Sequence, residues 1–220
     1  MTKLLSFNEE TIKNHLFSFE DSKRPCFIDK RFIKSAVIVP LVVQEDNSYE
    51  ILFIRRTEHE SDKHSGEMAF PGGKFDSDID QNLRKTALRE TEEEIGVPSS
   101  KIKLLGCLKD HITPKKYIIT PFIGFIHNDT KLTKDDQEVA EIIKIPISYL
   151  ANKKYYSERT YTLKDSLIAV GKYTYPHSNR KKYVIFGASC HIIVDFIETV
   201  YSKTLKNPGA RRLTCADFSD

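Results

Sequence analysis

Three carboxylates in the stretch RETEEEIG, residues 89–96, stand at a spacing that can do chemistry. On a helix turning about 100° per residue, Glu90, Glu93 and Glu94 fall at i, i+3 and i+4 and share one face, while Glu92 points elsewhere. Leu88, Thr91 and Ile95 form a neighbouring stripe that can bury the helix against a sheet and so fix where the acids point. Like charges at this spacing repel, and the repulsion grows with burial. A divalent cation turns that cost into binding. Acidic runs on helices are commonly solvated faces, so the context decides. Upstream, Gly72-Gly73 can bring a backbone carbonyl to the helix face, and oxygen-only ligation by carboxylate, carbonyl and water is what Mg²⁺ or Mn²⁺ prefers. Arg89 can hold one carboxylate in a fixed rotamer. Such a site calls for a phosphate-bearing substrate.

The elements that must position these residues are legible from pattern. SAVIVPLVV (35–43) and YEILFIRR (49–56) read as strands joined by the turn EDNS, a hairpin. Pro71-Gly72-Gly73 interrupts regular structure. From Gln81 to Ile95 nothing breaks a helix, and Gly96 with Pro98 ends it. KIKLLGCLKDHI, YIITPFIGFI and EIIKIP read as further strands, with YVIF the best strand in the Tyr-rich region 155–186. Ile192, Ile193, Phe196, Ile197 and Val200 mark a closing helix packed on the sheet. At the start, Ser6 and Glu9 form a capping box ahead of Ile12, Leu16 and Phe19, so a short amphipathic helix is expected over 6–19. The tail NPGARRLTCADFSD has no period and is expected to be loosely ordered. Strands mixed with a few helices give an α/β layered domain. The expected division is a helical extension over 1–30, one domain over 31–205 and a tail over 206–220.

Composition bounds the partners. The chain has 220 residues and 34 basic against 31 acidic side chains, so functional charge must lie in local clusters, and a nucleic-acid partner is not expected. HSNRKK (177–182) reads as a solvated hairpin turn. Four cysteines lie far apart with no metal-ligand spacing and are expected as reduced thiols. No apolar run approaches a membrane span and the first residues do not read as a secretory signal, so a cytoplasmic protein with no membrane partner is expected.

At this point the residues carry a resemblance. The segment resembles the Nudix box, GX5EX7REUXEEXGU with U bulky and apolar: Gly73, Arg89, Glu90, Glu93, Glu94, Gly96 and Val97 match. Fifteen residues rather than thirteen separate Gly73 from Arg89, and the early Glu of the pattern falls on Gln81. Asp80, beside it, is expected to serve as the partner of the arginine. The segment ILFIRRTEHESDKHSGEMAFPGGK is also similar to the extension of Nudix hydrolases that cleave coenzyme A. Leu52, Arg56, Gly66, Phe70, Pro71, Gly72 and Gly73 fit it, with one additional residue between Arg56 and Gly66. The second arginine of that group falls near Asp62, with Lys63 and His64 following. The resemblance covers roughly residues 33–200.

The resemblance implies an α/β/α sandwich around a mixed β-sheet with a catalytic loop-helix-loop, and hydrolysis of a nucleoside diphosphate linked to another group. It implies Mg²⁺ or Mn²⁺ held by Glu90, Glu93, Glu94 and the carbonyl of Gly73, with Glu93, Glu138 and Arg89 as catalytic residues. Glu141 is the second choice for the role of Glu138. Coenzyme A would be cut to 3′,5′-ADP and 4′-phosphopantetheine, with Arg56, Lys63, His64, Phe70 and Lys115 as substrate-binding residues. On a strand Arg55 and Arg56 point to opposite faces, so only one can serve the 3′-phosphate of coenzyme A, and Arg56, which fits the pattern, is expected to do so. ADP-ribose or NADH is the alternative substrate class, and a catalytically silent nucleotide-binding domain ranks below it. A homodimer is a possible assembly.

Overall fold

The computed structural model describes residues 5–58, 66–176 and 182–218. Two long strands, β1 (Ile33–Val43) and β2 (Tyr49–Arg56), form the expected hairpin, with Leu41 opposite Ile51. β3 (Met68–Ala69) and β4 (Gly72–Lys74) continue on either strand of this pair, β3 on β2 and β4 on β1. β5 (Lys103–Cys107), β6 (His111–Ile112), β7 (Tyr117–His127) and β8 (Val139–Pro146) complete an eight-stranded sheet. Among the described residues the pairing of β1 with β7 is parallel and the other pairings of the sheet are antiparallel, so the sheet is mixed.

The period of 2 along each strand divides the core into two faces. Ala36, Ile38 and Val42 of β1 join Leu52 and Ile54 of β2 against helix α2 (Leu83–Ile95), where Ala87 and Ile95 are fully buried. The alternate residues, Val39, Leu41, Ile51 and Phe53, face the long C-terminal helix α4 (Gly187–Tyr201), with Ile193, Phe196 and Ile197 inside. Each fully buried Ile or Phe contributes about 1.5–3 kcal/mol relative to exposure. Beside α4 stands a second sheet of three antiparallel strands, β9 (Tyr156–Leu163), β10 (Ser166–Pro176) and β11 (Lys182–Phe186). The helix–sheet–helix layering is as expected, whereas the Tyr-rich region forms its own small sheet. Tyr173 and Tyr183 point inward from it to join the α4 core.

Two expectations on the flanks are corrected. Helix α1 spans only Glu9–Asn14, and its N-cap is Asn8, which accepts from the Thr11 amide at 2.7 Å; Ser6 lies outside it. Beyond α1 the chain leaves the helix because Phe17 exchanges backbone hydrogen bonds with Cys107 and continues the edge beyond β5. The tail is not loose. Arg211 bridges Ile168 in parallel, and Phe218 packs edge-on against Phe32. All four cysteines are free. Among the described residues no helix is long and apolar enough to cross a membrane.

Candidate active site

Helix α2 begins where Asn82 caps the Lys85 amide at 3.0 Å and ends where Gly96 turns left-handed at φ 68°. Between these caps lie strong helix formers, Leu, Arg, Lys, Ala and Glu. Its last turns carry Glu90, Glu92, Glu93 and Glu94 and no basic residue, at the negative end of the helix dipole.

Glu94 faces the sheet and is 1% exposed, so burial comes first among the causes that push its carboxyl up to about 8. The Gly72 amide donates to it at 2.9 Å and opposes the shift, while repulsion from Glu90 adds to it. Arg56 approaches the other oxygen of Glu94 only to 3.9 Å. Glu90 is also raised, by burial, against the lowering effect of Arg89; Glu93 and Glu138 raise it further. The carboxyl of Glu90 lies against Gly73 so closely that a Cβ there would stand 2.3–2.5 Å from it. Glycine at 73 thus lets an acid approach the backbone closely.

Arg89 organises the exposed side of the cluster. Its guanidinium takes both oxygens of Asp80, at 3.0 and 2.9 Å, and reaches Glu90 and Glu93 at 2.8 Å each. This bidentate pairing with Arg89 holds Asp80 down at about 2. Asp80 is the partner expected for Arg89, although the loop from Gly73 is two residues longer than the pattern.

Glu138 reaches the cluster through a loop rather than through the helix. Thr133 and Asp135 donate their amides to the Ile95 and Glu94 carbonyls at 2.9 and 3.1 Å, which satisfies carbonyls otherwise orphaned at the helix end. Thr57 donates to the Glu138 carbonyl at 3.0 Å, tying the end of β2 to the same loop. Glu138 itself is exposed and close enough to repel both Glu90 and Glu94. The sequence carries little signal for these loop contacts, because they join segments nearly forty residues apart through backbone groups common to every residue. Glu141, the second choice, is on the opposite face, paired with Arg55 at 2.7 Å and accepting from Tyr183.

Arg55 and Arg56 divide as the strand period requires: Arg55 is held by Glu141, and Arg56 continues the Leu52–Ile54 face toward Glu94. Phe70, expected among the substrate contacts, has its ring in the α4-side core instead. It is 3% exposed and stacked on Phe53 at 4.7 Å, because strand alternation turns it away from α2. Lys115 is exposed in the turn between β6 and β7. Lys63 and His64, with Asp62, lie outside the described residues, as does most of the run 177–182.

Among the described residues no three His, Cys, Asp or Glu side chains converge into a ready-made metal-ligand set; Arg89 occupies the space by Glu90 and Glu93 instead. The donors nevertheless fit a hard divalent cation. Two mutually repelling carboxylates, one almost fully buried, face a glycine backbone with oxygen the only ligand element. An arrangement that raises carboxyl groups in the absence of a cation is one that a cation would reverse.

The model of the NUDIX domain matches residues 33–163. An uncharacterized Nudix hydrolase, NudL, of Yersinia pestis (strain Pestoides F) is 38% identical over 125 residues, which is 56% of this chain. The chain spans 61% of the length of that relative. Among solved structures, a C. elegans Ap4A hydrolase binary complex superposes with TM-score 0.43 at 16% identity, covering 53% of this chain and 81% of that one. The NUDIX domain of Shewanella oneidensis NrtR complexed with ADP ribose gives TM-score 0.43 at 16% identity, covering 55% and 79%. With a domain match over most of the sheet and the whole of α2, and the box residues gathered on one helix face, this chain belongs to the Nudix family.

Proposed function

We propose that the chain is a metal-dependent pyrophosphohydrolase that cuts the diphosphate bond of coenzyme A, or of its derivatives, to 3′,5′-ADP and 4′-phosphopantetheine. The observation that carries the hydrolase reading is the acidic cluster itself, with Glu90 packed against the Gly73 backbone beside the almost fully buried Glu94. Glu90, Glu93, Glu94 and the Gly73 carbonyl would hold Mg²⁺ or Mn²⁺. Bound there, such a cation would supply neutralisation of phosphate charge and a lowered pKa for water.

The residues of the chain divide the remaining work. Glu138, exposed and near Glu90 and Glu94, would take the proton of the attacking water, and Glu93 would share that work from the helix. Arg89 is a positioning residue: anchored on Asp80, it fixes the rotamers of Glu90 and Glu93. Arg56, on the same face as Glu94, meets phosphate oxygen. The 3′-phosphate of coenzyme A, expected at Arg56, would then fall to Lys115, Lys63 or His64. The choice of coenzyme A rests on Leu52, Arg56, Gly66 and the Phe70–Gly73 run, which resemble the corresponding extension. The Phe70 ring supports the loop from beneath rather than touching substrate.

The test is an assay of purified protein with coenzyme A and Mg²⁺ or Mn²⁺, following 3′,5′-ADP. Cation-dependent release is expected, falling by about 10²-fold or more in Glu93→Gln with the fold intact. Turnover of ADP-ribose or NADH without turnover of coenzyme A would replace the substrate class, and no turnover of any of these would leave a silent nucleotide-binding domain.

A further inference from the structure

A cavity of about 350 Å³ opens on the α2 face of the large sheet, at the opposite end of the helix from the carboxylates. Arg84, Ala87, Leu88 and Thr91 fall at i, i+3, i+4 and i+7 on one side of the helix, and the first of them is an arginine that lines the cavity together with Leu83. Cys107, Thr120 and Phe122, all buried, form the floor beneath it. The N-terminal segment closes one side: Phe17 hydrogen-bonds to Cys107, Arg24 pairs with Asp110, and Phe19 between them faces the cavity.

The lining has a definite chemistry. Phe19, Phe75 and Phe122 supply flat apolar surface, and Lys34 and Arg84 stand at the rim. The Arg84 guanidinium lies over the Phe19 ring at 5.1 Å and has no carboxylate partner among the described residues; nor does Lys34. Arg24 is balanced by Asp110, and Glu20 is the one acid in the lining, so the rim keeps an excess of positive charge. The volume falls in the range of small-molecule sites, which are about 300–1,000 Å³. Rings that can stack on a planar base, beside two cations that can meet a phosphate, describe a mononucleotide.

We propose that this cavity is a second ligand site, which binds a mononucleotide with its base against the phenylalanines and its phosphate at Lys34 and Arg84. It goes beyond the hydrolysis proposed above and does not use the same residues. Arg84 precedes Glu90 by six residues, about 9 Å along the helix axis. The site gives the N-terminal segment a task, that of forming one wall.

The experiment is an amide ¹H–¹⁵N titration of the full chain with adenosine 5′-monophosphate in EDTA, so that no cation-dependent binding at the carboxylates contributes. Shifts are expected at Phe19, Phe75 and Leu83, and not at Gly72, Gly73 or Glu94. Arg84→Glu should weaken binding about tenfold or more and Arg84→Gln by less, both with unchanged thermal midpoints, while Glu93→Gln leaves the affinity unaltered. Adenosine and inorganic phosphate should each bind more weakly than the nucleotide. Absence of shifts at millimolar nucleotide overturns the proposal, as do shifts confined to the glycine loop, phosphate binding as tightly as nucleotide, or insensitivity to Arg84→Glu. Because the titration needs neither turnover nor a cation, failure of the hydrolase reading would leave its outcome unchanged.

Discussion

Gly72 and Gly73 are neighbours whose substitution should fail in different ways. A Cβ at Gly72, where φ is +148°, would stand 2.3 Å from the Ala36 carbonyl oxygen and 2.5 Å from Val37 Cα, and backbone cannot step aside. Gly72→Ala should destabilise the fold by about 2–4 kcal/mol, measured by urea denaturation. At Gly73 the obstructing group is the tip of the Glu90 side chain, which can swing away. Gly73→Ala should therefore cost less than about 1 kcal/mol of stability, yet weaken divalent-cation affinity about tenfold or more, because the displaced carboxylate is a proposed ligand. Equal losses of stability in the two variants would contradict this account of the loop.

Helix α2 concentrates its acids at the end where the dipole is negative, and its stability should depend on pH accordingly. Burial raises Glu94 from 4.5 to about 8, so between those values the folded chain holds a proton that the unfolded chain has released. The contribution to stability is complete below pH 4.5, and it is lost as pH rises through 8. Without divalent cation, chemical denaturation should show this decline, while Glu94→Gln flattens it and added Mg²⁺ or Mn²⁺ offsets it at the upper end. The N-cap offers an independent check on the element: Asn82→Ala removes the acceptor for the Lys85 amide and should cost about 1 kcal/mol.

Across the whole molecule, the tail locks the small sheet to the rest. Arg212 donates to Glu158 at 2.8 Å, to Tyr156 at 3.0 Å and to the Ala169 carbonyl at 2.9 Å, and the Glu158 side chain is 1% exposed. Removing the arginine leaves a buried carboxylate without its counter-charge. Arg212→Ala should lower stability by about 3 kcal/mol, and adding Glu158→Gln should recover part of that loss, as read from thermal midpoints of the single and double variants. His191 supplies a second whole-molecule signal. Burial holds it down at about 3, its Nε2 accepting from the Gly171 amide, so the stability it allows is present above 6.5 and lost as pH falls from there toward 3.

The main strands of the large sheet, helices α2 and α4, and the helix face of the candidate site are legible in the sequence alone. Period 2 in β1 and β2, period 3.6 in α2 and α4, and the left-handed stop at Gly96 are local properties, so residues a few positions apart suffice to specify them. The separation of Arg55 from Arg56, and of Glu90, Glu93 and Glu94 from Glu92, follows from the same geometry. Other features came only from tertiary structure because they depend on partners distant in the chain. Phe70 matches a substrate-site pattern but finds Phe53 across the hairpin, and its burial there outweighs exposure in the loop. The aperiodic tail is ordered by pairing with β10 and by Glu158, neither of which a pattern search within the tail could reveal. Glu138 is brought to the cluster by amides that cap the end of α2, and the cavity beside Arg84 is closed on one side by the distant N-terminal segment. Local propensity names the side chains; only long-range packing decides which of them meet.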